Sequence, residues 1–268
     1  MKQRIDSWLV EQGHFESREK AQRAIMAGEV LVNGKRVEKA GQAVAGTPEV
    51  TLTHAGPQYV SRGAHKLLKA LAVFPVTVGG KVCLDAGAST GGFTDVMLQS
   101  GAAHVYAVDV GYGQLAWKLR QDQRVTVFER ENIRHFDPTQ LPALPELITA
   151  DLSFISLQLV LGKFKELAQP DGELITLIKP QFEAGKEKVG KKGVVRDPAV
   201  HWEVLERLIR NGPALGWSLA HLDFSPILGP EGNIEYLGHW KPSGTELSAL
   251  PDPQAVVGAA WQNLKLND

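Results

Sequence analysis

Cysteine is nearly absent from this chain of 268 residues: Cys83 stands alone. A single cysteine excludes an intrachain disulfide framework and a thiolate metal cluster. No metal site is expected, and the usage fits a reducing, cytoplasmic setting. Long apolar runs are missing too. No stretch approaches the roughly 18 apolar residues of a membrane helix, and the opening Met-Lys-Gln-Arg-Ile-Asp leads into no apolar core of signal-peptide length. Neither a membrane span nor a secretory leader is expected. Charge of one sign is not in excess either, since the net charge is −1. Its distribution is uneven: residues 1–70 carry eleven Lys and Arg against seven Asp and Glu, a net of +4, and the rest carries −5. A small basic head on an acidic body points to a polyanionic partner for the head.

The head, residues 1–58, reads as two short helices and a hairpin. Residues 4–11 place Ile5, Trp8 and Leu9 on one face, and Gly13 ends the segment. Ser17 is positioned to cap a second helix through Ala27, with Ala21, Ala24 and Ile25 inward and Gly28 just past its end. Asn33-Gly34 follows, flanked by Val30-Leu-Val and Lys35-Arg-Val. That dipeptide suits a two-residue hairpin turn whose central residues both need positive φ.

With Ser17-Arg-Glu-Lys-Ala21, Gly28-Glu-Val30 and Val32-Asn-Gly-Lys35, the head resembles the S4 RNA-binding domain. The resemblance makes Arg4, Arg18, Lys20, Arg23, Lys35 and Arg36 the candidate RNA contacts. Such contacts are mostly to phosphate, so they place RNA more than they read its sequence.

From residue 59 onward the chain alternates strand and helix. Strands are expected over 81–85, 104–110, 125–129, 147–151 and 173–179, with helices such as 93–100 and 156–168 between them. This alternation calls for a doubly wound α/β domain with a parallel sheet. Segments 218–224 and 233–240 lie too close together for a helical crossover and are expected to close the sheet as an antiparallel hairpin. The first strand runs into Asp85-Ala-Gly-Ala-Ser-Thr-Gly-Gly-Phe93, a turn able to bring backbone against a ligand, and Asp109 closes the next strand, where an acid can hold a ribose diol. The spacing is not the Gly-x-Gly-x-x-Gly of dinucleotide enzymes.

The loop resembles the cofactor loop of S-adenosylmethionine methyltransferases. That resemblance makes Asp85, Gly87, Ala88, Ser89, Gly91, Gly92, Phe93, Asp109, Val110 and Asp151 the candidate cofactor residues. Lys66, Asp151, Lys179 and Glu235 together resemble the Lys-Asp-Lys-Glu tetrad of FtsJ-like (RrmJ-like) 2′-O-ribose methyltransferases. With the S4-like head, Ser61-Arg-Gly-Ala-His-Lys66, Asp151-Leu-Ser-Phe-Ile-Ser-Leu157 and Lys179-Pro-Gln-Phe-Glu183, the chain is similar to the TlyA family over nearly its whole length. The resemblance implies methylation of cytidine 2′-hydroxyls in ribosomal RNA, with ribosomal RNA or ribosomal subunits as partners and S-adenosylmethionine as cofactor. Some members of that family are described as haemolysins.

A ribose hydroxyl is a poor nucleophile, so such an enzyme must align it with the activated methyl group and help its proton leave. Lys179 is expected to act on the hydroxyl, Lys66 and Glu235 to steer it, and Asp151 to lie near the methyl group. Two neighbouring lysines tend to lower one pKa, which the carboxylates oppose. Amine methylation commonly shows an Asn/Asp-Pro-Pro-aromatic turn, and Asp151-Leu-Ser-Phe154 has no proline. Carbon-5 pyrimidine methylation needs a cysteine nucleophile, and Cys83 sits among Val82 and Leu84 as a packed small side chain. Arg62 and the basic segment after Lys179, with Lys188, Lys191 and Lys192, are further candidate RNA contacts; the segment either covers the site or grips RNA backbone, or is merely a disordered surface loop. In this family the join at 54–60 can influence cofactor binding. Two other functions compete: a cytolysin, which would need a membrane-inserting element, and a non-catalytic ribosome-assembly protein, which has no need of the tetrad.

Overall fold

The computed structural model describes residues 2–15, 17–26, 29–37, 39–52, 59–247 and 249–265, and the chain divides into two compact units, Met1–Gln58 and Tyr59–Asp268. The expected helix end at Ala27 and Gly28, and residues 54–58 of the join, lie outside the described residues.

In the first unit, β1 (Lys2–Arg4) leads into α1 (Ile5–Glu11) and α2 (Arg18–Met26), followed by β2 (Val30–Val32), β3 (Lys35–Arg36), β4 (Ala43–Ala45) and β5 (Val50–Leu52). Ser17 does cap α2, its Oγ accepting from the Lys20 amide at 3.3 Å. The Asn33-Gly34 turn has φ of 50° and 74°, joining β2 to β3 in the register Val32–Lys35. Two pairings go beyond the sequence reading: β5 adds to β2, and β1 pairs with β4. Ile5, Leu9, Ala21, Ile25 and Val30 form the buried centre of the unit.

The second unit contains α3 (Ala64–Val73), β6 (Val82–Ala86), α4 (Gly92–Gln99), β7 (His104–Asp109), α5 (Trp117–Arg120), β8 (Val125–Glu129), β9 (Leu147–Ala150), α6 (Leu161–Leu167), β10 (Glu173–Ile178), α7 (Pro180–Glu183), α8 (Pro198–Asn211), β11 (Trp217–Phe224), β12 (Tyr236–Pro242) and α9 (Pro253–Lys265). Its seven-stranded sheet has the order β11-β12-β10-β9-β6-β7-β8. Neighbours from β10 to β8 are parallel, while β12 runs against both β10 and β11. Leu67, Phe93 and Met97 pack beneath one face of the sheet, and Phe164, Val204 and Leu208 beneath the other. The doubly wound expectation and its antiparallel closing hairpin therefore hold.

Strand direction decides where chemistry can gather. β6, β9 and β10 all deliver their carboxyl ends to one edge. β12 is antiparallel, with Tyr236 paired to Ile178, so the residue preceding it, Glu235, reaches the same edge as the residue following β10, Lys179.

Candidate active site

The four tetrad side chains meet at this edge. Lys66 lies on the packed face of α3 with Ala70 one turn on, and its side chain is 10% exposed. Its Nζ donates to Glu235 Oε2 at 2.7 Å and to Asp151 Oδ2 at 3.4 Å. Lys179 Nζ lies 2.6 Å from the other Asp151 oxygen, Oδ1, and donates to Ser153 Oγ at 3.2 Å. Asp151 is thus bracketed by two ammonium groups, and Glu235 is wholly buried beside one of them. Burial would lower the Lys66 pKa, but the Asp151 and Glu235 carboxylates outweigh it, so Lys66 lies above the usual lysine value. Burial would likewise raise Asp151, yet Lys179 and Lys66 hold it below the usual carboxylate value. In the contest expected between mutual repulsion and carboxylate support, the carboxylates win at Lys66, which stays a cation.

Glycines set two close approaches here. Gly87 has φ of +81°, and a Cβ on it would lie 2.8 Å from the Asp151 carbonyl oxygen, so this turn requires glycine for both reasons. Gly229 lies against Glu235: a Cβ there would stand 2.2 Å from Glu235 Oε1. Glu183 ties two strand-end loops together. Its carboxylate accepts from Ser156 Oγ and the Leu157 amide, both at 2.6 Å, and burial raises its pKa. This fixes α7, directly after Lys179, to the segment directly after Asp151.

The glycine loop lies at the neighbouring strand end. Ser89, at φ of 48°, donates its amide to Asp109 Oδ2 at 2.7 Å, and the Gly111 amide donates to Oδ1 at 2.7 Å. Each carboxylate oxygen retains a lone pair for a further donor. Val110 is 68% exposed beside Asp109, while Ala88 and Phe93 are buried and Gly91 and Gly92 open α4. Asp85 lies beneath the loop, wholly buried, accepting from the Thr94 amide and hydroxyl at 2.8 and 2.7 Å and from Thr149 Oγ1 at 3.3 Å. Burial pushes its pKa up to about 7 against those hydrogen bonds. Cys83 is buried and its thiol is pushed up to about 12 by desolvation, which suits packing and not nucleophilic attack.

The outlying basic residues separate into kinds. In the first unit Arg4 donates to Asp6 at 3.0 and 2.9 Å, and Arg18 donates to it at 3.2 Å. Arg4 above all holds the Asp6 carboxylate far below the usual range. Both arginines brace the fold while staying half-exposed; Lys20, Arg23, Lys35 and Arg36 are on the surface. In the second unit Arg62, Lys191 and Lys192 are exposed, and Lys188 pairs with Glu203. The basic segment after Lys179 is pinned down: Val194 and Val195 are buried, and Asn233 Nδ2 donates to the Gly193 carbonyl at 3.0 Å. Three residues at the site escaped the sequence reading. Ser153 touches Lys179, Gly229 touches Glu235, and Phe154 has φ of 63° and is 90% exposed, its ring 5.1 Å from that of Phe182. Only Phe154, an aromatic four residues past the end of β9, left a signal that could have found it.

Residues 59–241 match the family model described as FtsJ-like methyltransferase. The chain belongs to that family. Residues 3–48 match the S4 domain. This FtsJ-like methyltransferase is 48% identical to the 16S/23S rRNA (cytidine-2'-O)-methyltransferase TlyA of Mycobacterium tuberculosis, covering 87% of each chain. It is 41% identical to Hemolysin A of Brachyspira hyodysenteriae, over 88% of this chain and 99% of the other. A solved structure from Streptococcus thermophilus, described as a hemolysin, is 44% identical with a TM-score of 0.75, covering 99% of this chain and 98% of that one. Among the described residues of this FtsJ-like methyltransferase, no helix is long and apolar enough to cross a membrane.

Proposed function

We propose that this chain transfers a methyl group from S-adenosylmethionine to the 2′-hydroxyl of cytidine in ribosomal RNA, acting in the cytoplasm with the S4 domain holding the RNA. The observation that carries this reading is the convergence of Lys66, Asp151, Lys179 and Glu235 in one buried ion-pair chain at the sheet edge beside the glycine loop. The loop fits the cofactor: Gly87 keeps backbone open where a side chain would strike Asp151, and Asp109 has acceptor capacity left for a ribose diol. Asp85, Ala88, Ser89, Gly91, Gly92, Phe93 and Val110 shape that cradle. When bound, S-adenosylmethionine supplies a methyl group activated by its sulfonium.

The chain's own residues then divide the work. Lys66, locked between Glu235 and Asp151 and kept cationic, is a fixed positive post that orients the other groups. Asp151 takes one ammonium on each oxygen, which fixes its plane and holds Lys179 in place. Lys179 lies at the outer end of the chain of ion pairs, with Ser153 as a second partner; it meets the ribose hydroxyl and, once it has released one of its own protons to solvent, takes the hydroxyl proton as the neutral amine. A base so placed is worth about 10²–10⁴-fold in rate. Arg4, Arg18, Lys20, Arg23, Lys35 and Arg36 from the head, with Arg62, Lys188, Lys191 and Lys192 from the body, supply phosphate contacts.

The test is single-turnover transfer of labelled methyl to ribosomal RNA. Lys179→Ala is expected to abolish transfer while RNA binding persists. Lys179→Arg is expected to be nearly as inactive, because guanidinium keeps the charge and cannot be deprotonated. Wild-type rates in Lys179→Ala would remove the assignment; a fast Lys179→Arg would remove only the proton-acceptor role.

A further inference from the structure

The pairing of β9 with β10 ends at Ala150 and Thr176, yet the two segments beyond are held together by a seam of side-chain contacts. Asp151 and Ser153 both hold Lys179, at 2.6 and 3.2 Å. The Phe154 ring meets that of Phe182 at 5.1 Å between centres. At the far end Glu183 takes the Ser156 hydroxyl on Oε2 and the Leu157 amide on Oε1, each at 2.6 Å. Only the Asp151–Lys179 tie belongs to the tetrad. The two sides of the seam differ in support. Glu183 is buried, and its carbonyl accepts from Arg207 of α8, a helix packed into the core through Val204, Leu205 and Leu208. On the other side, residues 151–156 form neither helix nor strand and Ser153 is exposed. Phe154 stands at φ of 63°, a left-handed conformation that a non-glycine residue keeps only where its surroundings impose it.

We propose that Glu183 is a positioning residue for methyl transfer: by clamping Ser156 and Leu157 it imposes the turn at Ser153-Phe154 and so keeps Lys179 between Asp151 and Ser153. The inference rests on the 2′-O-methyltransferase reading above and adds a residue outside the tetrad on which Lys179 depends. The lever is short. Asp151 follows β9 directly and Ser156 is bonded to Glu183, so the five-residue step between them is fixed at both ends. Both bonds to Glu183 reach a buried carboxylate, where charge-assisted hydrogen bonds are strong. Released from them, the loop loses the clamp that imposes its left-handed turn, and Ser153 leaves Lys179. The ammonium then retains Asp151 alone. A lysine side chain with one partner regains much of its rotamer freedom, and a misplacement of about 1 Å near the reacting atoms costs on the order of 10²-fold in rate.

The experiment reads both the rate and the lysine itself. Single-turnover methyl transfer to ribosomal RNA is measured for the wild type, Glu183→Ala, Glu183→Gln, Ser153→Ala and the double variant of Glu183→Ala with Ser153→Ala. Carbon-13 NMR of lysine-labelled protein follows Lys179 Cε, its signal identified by its loss in Lys179→Arg. Glu183→Ala is expected to lower the rate about 10²-fold, with affinities for S-adenosylhomocysteine and RNA unchanged and the Lys179 signal shifted while remote lysines keep theirs. Glu183→Gln should restore most of the rate and the signal, because its oxygen accepts from the Leu157 amide and its nitrogen donates to Ser156 Oγ. Ser153→Ala is expected to slow transfer about tenfold, the scale of one charge-assisted hydrogen bond. In the Glu183→Ala background it should add nothing, since that contact is already gone. Losses that multiply, or a Lys179 signal unmoved in Glu183→Ala, overturn the inference. Should Glu183→Ala not fold, Ser156→Ala removes one of the two bonds in its place, and a wild-type rate with an unmoved signal overturns it equally. Absence of 2′-O-methyl product from the wild type strikes the proposed function, whereas a Lys179 signal that moves in Glu183→Ala and returns in Glu183→Gln upholds the clamp by itself.

Discussion

Gly229→Ala should disable methyl transfer without altering a tetrad residue. Gly229 has φ of −71° and ψ of −175°, an extended conformation that alanine adopts freely, so backbone strain does not enter. The constraint is steric: the new Cβ would stand 2.2 Å from Glu235 Oε1 and 2.6 Å from its Cδ. Ordinary carbon–oxygen contacts begin near 3.3 Å, so carboxylate or backbone must yield by about 1 Å. Glu235 is wholly buried, and its other oxygen holds Lys66 at 2.7 Å. A shift of about 1 Å breaks that charge-assisted bond, which is worth about 1.5–3 kcal/mol, and a displacement of that size near the reacting atoms costs on the order of 10²-fold in rate. Single-turnover methyl transfer measures the rate, the thermal midpoint follows the fold, and cofactor affinity serves as control, since Gly229 is remote in sequence from the glycine loop. A Gly229→Ala protein with wild-type rate would show that the Lys66–Glu235 geometry does not govern transfer.

Two further outcomes are expected. Asp85 keeps its proton in the folded protein up to about pH 7, whereas in the unfolded chain it ionises near pH 4, so the unfolded state binds fewer protons between those values and wild-type stability falls as pH rises through them, by about 4 kcal/mol for the full shift. Asp85→Asn has no such ionisation, so its stability should gain on the wild type from pH 4 to 7 in parallel denaturant titrations; a constant difference would mean that Asp85 is not protonated in the fold. Because Arg18 braces Asp6, RNA binding is better tested with Arg23→Gln and Lys35→Gln, which should weaken association with ribosomal RNA and reduce the log–log salt slope by about 2; an unchanged slope would remove both from the phosphate contacts.

What was legible in the chain follows from where each signal is written. Buried parallel strands are continuous apolar runs, so Leu174-Ile-Thr-Leu-Ile178 and Leu147-Ile-Thr-Ala150 announced themselves, and the strand-end positions of Asp151 and Lys179 came with them. The closing strand begins at Tyr236 and not at 233, because the Asn233 side chain is engaged with the carbonyls of Gly193 and Pro230. Helices α8 and α9 went unnamed although each starts with an Asp-Pro pair whose aspartate caps the first turn. The three-residue strands β1, β4 and β5 are too short for alternation to register. Ser153 meets Lys179 from 26 residues away and Gly229 meets Glu235 across the turn before β12, and no strand or helix periodicity records either approach.

The antiparallel course of β12 has a consequence for how the protein comes into being. Lys66 and Glu235 are 169 residues apart, so the first tetrad member leaves the ribosome long before its closest partner has been synthesised. Until the last strand inserts, the Lys66 ammonium lacks the carboxylate that makes its burial tolerable, and the pocket of α3 has reason to stay open. A nascent or truncated chain that already holds a complete cofactor loop but lacks Glu235 is therefore expected to be inert. On the proposed roles, activity would arrive only with completion of the sheet.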